Sequence, residues 1–301
     1  RRRMTERAKT TKEVTRDYFD SLMLEMRLID SEVPDTGTEL YGKKFQTPIM
    51  TAALSHLGTF HPDMPNGMVQ YAESARISGA VHWIGMGSDE EFEAVTATGA
   101  QTIRIIKPYA DEEKIYRMIH CAERCGALAV GMDIDHMFDL KGNPDVCRDE
   151  KMSVKSLGDL RKYVESTELP FIIKGVLSVR DAVKCMEIGA GGIVVSNHGG
   201  RLNGTLPPLC VLPEIVKAVG GQFPVFVDCG ICSGMDAYKA LALGASAVSV
   251  GGHLIPYLKK GGGEAAAVRI REMTEELKGA MAYTGVRNMH EFDPSVLRRI
   301  G

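Results

Sequence analysis

Eight short apolar runs, each followed by a helical or looping interval, constrain this chain more than any other feature. They occupy residues 48–54, 81–86, 103–107, 128–134, 171–175, 193–197, 225–229 and 247–251. Each is too short for a typical helix and several are β-branched, which is the pattern of parallel strands buried on both faces. Amphipathic stripes fill the intervals: Ile115, Met118, Ile119 and Ala122; Val179, Ala182, Val183 and Met186; Leu212, Ile215, Val216 and Val219. Such stripes are helix faces packed on a sheet. Five intervals end in Gly-Ala (Gly79, Gly99, Gly126, Gly189 and Gly244), where glycine supplies the left-handed turn that stops a helix. The expected fold class is α/β, a (β/α)8 TIM barrel. An open doubly wound sheet is the competing architecture, but no G-x-G-x-x-G follows the first run. The 301 residues suit one domain over 1–301, with 1–47 as an N-terminal extension leading into the barrel. Residues 35–42 read as an entry hairpin or loop, and 135–153 as a polar loop above the fourth strand.

With 44% hydrophobic and 25% charged residues, material for a large core is present. Net charge is −3 and no basic block follows the first residues, which argues against nucleic acid or an anionic membrane as the main partner. No apolar run reaches membrane-spanning length. Seven cysteines, an odd number, read as reduced thiols of a cytoplasmic chain. Cys229 and Cys232 form a C-x-x-C without a second pair or neighbouring histidines, so no metal is expected. Arg1-Arg2-Arg3 ahead of Met4 reads as an addition or a truncation point.

In barrels of this kind the chemistry sits at the C-terminal ends of the strands. Those positions collect Asp133 after strand four, Lys174 in strand five, Ser196, Asn197, His198 and Arg201 after strand six, and Asp228 after strand seven. A lysine inside Phe171-Ile172-Ile173-Lys174-Gly175 needs a partner, because an unpaired buried ammonium is costly. Either it pairs internally with Asp133 or Asp228, or it meets an anionic ligand. His198 lies in Ser196-Asn197-His198-Gly199-Gly200-Arg201, a short turn in which glycines let backbone approach a ligand. An imidazole with a cation three residues on is a candidate base near neutral pH. Asp228-Cys229-Gly230 and Gly251-Gly252 follow the last two strands, where barrels often hold a phosphate on backbone N–H groups.

The stretches Pro170–Gly175 and Gly192–Arg201 resemble the FMN-dependent 2-hydroxy-acid oxidases and dehydrogenases. Leu212-Pro213-Glu214-Ile215, Asp228-Cys229-Gly230 and Lys239–Ala245 continue the resemblance in order, strongly from Phe171 to Gly251 and weakly before. The resemblance implies FMN as cofactor and gives each position a role. Lys174 would face the flavin N1 and C2 oxygen. His198 would be the base, and Asp133 the carboxylate that orients it. Arg201 would bind the substrate carboxylate. Ser196 would bond the flavin and Asp228 its ribityl chain. Gly230, Gly251 and Gly252 would face the phosphate, and Ala52 and Ala53 would pass beneath the ring. Gly85 and Arg104 would stand beside the flavin, at positions usually serine and glutamine.

The chain also departs from that pattern. An N-terminal tyrosine segment is missing, and a second tyrosine, on strand three, is matched to Ile106. A carboxylate-binding arginine is matched to Leu140. Two phosphate-binding arginines become Cys232 and Gly252, leaving backbone N–H groups, with His253 or Lys259 as compensating cations. Arg104, His56 or His136 would have to supply a second substrate anchor. The resulting expectation is an FMN-dependent oxidoreductase that converts a 2-hydroxy acid, or a related hydroxylated carboxylate, to the keto product. The resemblance also implies a homo-oligomer. Two alternatives stay open: a flavin-dependent isomerase of the type 2 isopentenyl diphosphate class, and a non-catalytic barrel binding flavin or a phosphorylated metabolite.

Overall fold

The computed structural model describes residues 8–64 and 66–300, so Arg1–Met4 lie outside the described residues. Eight parallel strands form the central sheet: β1 (Ile49–Thr51), β2 (His82–Ile84), β3 (Thr102–Ile106), β4 (Ala129–Asp133), β5 (Phe171–Val176), β6 (Gly192–Val195), β7 (Val225–Val227) and β8 (Ala247–Val250). All eight fall within or beside the apolar runs. The hydrogen-bonded order is β1-β8-β7-β6-β5-β4-β3-β2. Its two ends meet through a parallel Leu54–Ile84 bridge and a Thr51 N–H to Val81 C=O bond of 3.2 Å, which closes the barrel.

The helices form the outer layer: α2 (Gly67–Ser78), α3 (Asp89–Thr96), α4 (Glu112–Arg124), α5 (Leu157–Glu165), α6 (Val179–Glu187), α7 (Pro208–Val219), α8 (Gly234–Ala242) and α9 (Ile255–Thr284). The five Gly-Ala glycines all have positive φ, as a left-handed helix stop requires. Helix α9 is broken at Gly261 and Gly262, where the Gly263 N–H turns to the Gln70 side chain at 2.8 Å.

Strand periodicity places the site. Met50, Trp83, Ile103, Ile105, Ala129, Ile172, Val194, Phe226 and Ala247 fill the barrel interior as one apolar cluster. Because side chains alternate faces with period two, the next inward position on each strand lies one layer higher, toward the C-terminal mouth. Followed upward, this parity reaches Ala52 and Gly85 on the first two strands and Lys107, Asp133, Lys174, Ser196, Asp228 and Ser249 on the other six, all six of them buried. A polar ring thus caps an apolar plug.

The residues ahead of β1 close both ends. At the bottom, Thr38–Leu40 pairs with Lys43–Phe45 around Tyr41 and Gly42, both at positive φ, so the segment expected as a hairpin or loop is a hairpin. Its Leu40 and Phe45 join the interior cluster. At the top, helix α1 (Thr11–Ser21) begins in a Thr10–Glu13 capping box. It is tied to the loop after β6 by Thr11 N–H to Asn203 Oδ1 and by Gly204 N–H to Thr11 Oγ1, both 2.7 Å. The loop after β4 carries a small hairpin, Val146–Cys147 with Glu150–Lys151.

Candidate active site at the barrel mouth

A cavity of about 470 Å³ opens at the C-terminal end of the barrel, within the size range of small-molecule sites. Its reactive end is walled by Lys174, Asn197, His198, Asp228 and Cys229, and its floor by Ala52, Ala53 and Leu54. Gly230, Cys232, Ser249, Gly251, Gly252 and His253 form the far end, and Lys12, Thr15 and Arg16 of α1 form the lid.

Lys174 Nζ lies 3.3 Å from Asp133 Oδ1 and 3.5 Å from Asp228 Oδ2. Burial works against its charge, but Asp133, Asp228 and Asp135 outweigh that and hold the ammonium well above its ordinary value. The internal ion pairs and the ligand-facing position are therefore both present: Lys174 is a preorganised cation on the cavity wall.

His198 sits at φ +51, on a turn fixed by its own N–H donating to Ser196 Oγ at 3.1 Å. Its Nδ1 lies 2.9 and 3.1 Å from the two oxygens of Asp135, and 3.5 Å from Asp133 Oδ1. Burial and then Lys174 oppose the imidazolium, yet Asp133 and Asp135 overcome both and raise the His198 pKa. With a proton held on Nδ1 by carboxylates, Nε2 is the basic atom.

The roles of the two carboxylates are divided. Asp133 Oδ2 accepts from Lys107 Nζ at 2.5 Å while Oδ1 faces Lys174. Burial alone would raise its pKa, but Lys107, Lys174 and His198 hold it well below the ordinary range. The nearer partner of His198 is Asp135, which the sequence reading missed. Gly175, at φ +97, makes room for it: a Cβ there would stand 2.8 Å from Asp135 Oδ2. An acidic residue two positions after a strand-end aspartate was the available signal. Lys107 was also missed, although it ends an apolar run much as Lys174 does.

Several expected placements need correction. Arg104 does not reach the cavity. It is 1% exposed, donates to the Met118 carbonyl at 3.1 Å, pairs with Asp89 at 2.8 Å and stacks over Phe92, all in the helix layer. Ile106 shares its outward face, so the inward positions of β3 are Ile105 and Lys107, one residue from those matched by sequence. Arg201 lies outside the cavity wall and is engaged elsewhere: its NH2 group meets Asp145 at 2.5 Å and the Phe138 carbonyl at 2.9 Å, and Nε meets the Asp135 carbonyl at 3.0 Å. Ser196 shapes the histidine turn and is not on the wall. Gly85 packs beneath Ala53, where a Cβ would come within 2.6 Å of the Ala53 carbonyl oxygen. Lys259 pairs with Asp63 at 3.6 Å. Among the proposed extra anchors, His136 Nδ1 bonds Asp145 at 2.8 Å and its ring meets that of His198 edge-on. His56 lines a separate cleft beside Met86 and Arg148.

The residues present fit a flavin mononucleotide. Asn197 Oδ1 is buried without a partner in a residue on the wall. A Cβ built on Gly252 meets nothing within 4 Å, so the glycine leaves open space at the end where backbone N–H groups follow β8. Lys174 offers a buried cation and Asp228 a carboxylate, the donor set that a ring edge and a polyol chain require.

A family profile described as FMN-dependent dehydrogenase matches residues 3–157 and 145–299. The chain is 30% identical over 288 residues to a 4-hydroxymandelate oxidase from Amycolatopsis orientalis, covering 84% of this chain and 80% of the relative. It is 30% identical over 319 residues to glycolate oxidase 1 from Zea mays, covering 93% and 85%. A solved mandelate oxidase variant with (S)-mandelic acid superposes with a TM-score of 0.86 at 29% identity, covering 97% of this chain and 90% of the other. The chain belongs to the FMN-dependent dehydrogenase family.

Proposed function

We propose that the protein oxidises a 2-hydroxy acid to its keto acid with reduction of bound FMN, and that His198, Lys174, Asp133 and Asp135 carry the chemistry. The single observation that supports this most is the His198 imidazole, tied through Nδ1 to Asp135 at 2.9 Å on the wall that also holds Lys174. When bound, FMN supplies the acceptor for the substrate's electron pair. The remaining work falls to the chain. His198 Nε2 takes a proton from the substrate, and the imidazolium that forms is stabilised by Asp135 and Asp133. Lys174 keeps a fixed positive charge at the wall, where it would offset negative charge on a bound flavin. The plug of Phe226, Ile172 and Trp83 beneath excludes water from below. Lys107 and Arg201 stand behind the wall, against Asp133 and Asp135, and Arg201 would reach a substrate carboxylate by exchanging its contact with Asp145.

The free cysteines support a reducing, cytoplasmic location. Exposed Met26, Leu28, Ile29 and Val33 support a homo-oligomer, which light scattering on the purified protein would test. Among the described residues, no helix is long and apolar enough to cross a membrane.

The decisive experiment is anaerobic bleaching of the flavin absorbance against a panel of 2-hydroxy acids. Bleaching by at least one, abolished in His198→Ala while the flavin stays bound, is the expected result. Protein that is colourless and takes up no FMN would sink the assignment.

A further inference from the structure

We propose that helix α1 supplies the phosphate-end cation of this cavity: Lys12 takes over the task that two arginines perform in the family's sequence pattern. The proposal rests on the reading of the cavity as an FMN site.

In this chain those two positions are Cys232 and Gly252, so the loops after β7 and β8 offer backbone N–H groups but no guanidinium. A phosphate monoester carries close to two negative charges at neutral pH, and charge-assisted bonds to it are the strong ones. The cation must come from elsewhere.

Most cations near that end are already balanced. Arg16 pairs with Asp236 at 2.7 Å and Asp20 at 2.9 Å, and donates to the Gly230 carbonyl at 3.2 Å. Arg269 pairs with Glu276 at 2.9 Å and Glu272 at 3.2 Å. Lys239 donates to the Phe19 carbonyl at 2.8 Å. Lys12 lines the same cavity as Gly230, Cys232, Gly252 and His253, and has no carboxylate partner among the described residues. The field at Cys232 supports its position. Burial and then Asp236 push that thiol up, while Arg16, Lys12 and Arg269 pull it down, so Lys12 is among the charges felt where the family pattern has an arginine.

The helix that carries Lys12 is docked rather than loose. Its first turn is bonded to Asn203 and Gly204, and Arg16 clamps it to Asp236. Gly230, at φ +88, permits this approach, because a Cβ there would stand 2.8 Å from the Phe19 ring and 3.1 Å from Thr15. A lysine on a docked helix loses less freedom on binding than one on a free tail.

The test compares FMN with riboflavin, which lacks the phosphate, on the full chain stripped of flavin and titrated by fluorescence quenching. Lys12→Ala is expected to weaken FMN about tenfold or more while leaving riboflavin unchanged. Lys12→Arg is expected to restore FMN affinity, and the wild-type advantage of FMN is expected to shrink with added salt. Equal losses for both flavins would make α1 a strap rather than a phosphate ligand and overturn the proposal. No change in FMN affinity would overturn it too, leaving the cofactor assignment intact. Wild-type protein that binds neither flavin would remove the cofactor reading and this inference with it.

Discussion

At the residue scale, the site turns on how Asp133, Asp135 and Asp228 are shared among two lysines and one imidazole. Asp133 answers to Lys107 and Lys174, and Asp135 holds His198. Replacing Asp135 by Asn removes an acceptor that raises the His198 pKa. The acidic limb of the kcat/KM profile should therefore move to lower pH, with kcat lower by on the order of tenfold or more. Replacing Asp133 by Asn instead strands the buried Lys107 ammonium and leaves Lys174 with Asp228 alone, and should destabilise the fold by about 3–5 kcal/mol in urea unfolding. A profile that shifts only in the Asp133 variant would reverse this division. Arg104 makes the opposite case. Its contacts are all in the helix layer, so Arg104→Ala should lower stability by about 2–3 kcal/mol and leave flavin binding and bleaching as they were.

At the scale of elements, β3 and α1 decide what the cavity is made of. A strand read one residue out of phase sends every side chain to the opposite face, which is why Arg104 and Ile106 were expected in the site and Lys107 was not. A run such as Ile103-Arg104-Ile105-Ile106-Lys107 contains no internal mark of which parity faces inward, since both faces are buried. Helix α1 was illegible for a different reason. Its partners Asn203, Gly230 and Asp236 are about two hundred positions away, and nothing local announces that contact. Its docking gives a test: Gly230→Ala should drive Phe19 and Thr15 apart from the loop. Hydrogen exchange should then show α1 amides losing protection while β5 and β6 keep theirs.

For the whole molecule, the buried charges set how stability responds to pH. His198 has a raised pKa in the fold, so its contribution is full below the unfolded value near 6.5 and fades as pH rises through the folded value. Asp133 has a depressed pKa, so its contribution is present above the ordinary carboxylate range and is lost as pH falls through its folded value. Urea midpoints of the flavin-free protein should therefore peak between these limits, and His198→Gln should flatten the decline on the alkaline side. A wild-type midpoint that climbs steadily through neutral pH would contradict the charge arrangement.

The barrel was written in the chain itself. Strands buried on both faces must be apolar throughout, and helices that stop before them need a left-handed glycine, so eight runs and five Gly-Ala stops were enough to expect the closed sheet. Lys174, Asp133, Asp228 and His198 were legible for a related reason: polar residues at the ends of apolar strands stand out, and barrel geometry says where those ends converge. What tertiary structure alone decided was facing and company. The direction of β3, the capture of Arg201 by Asp145, the pairing of Asp135 with His198 and the arrival of Lys12 over the mouth all depend on distances across the fold, and a linear sequence carries no measure of those.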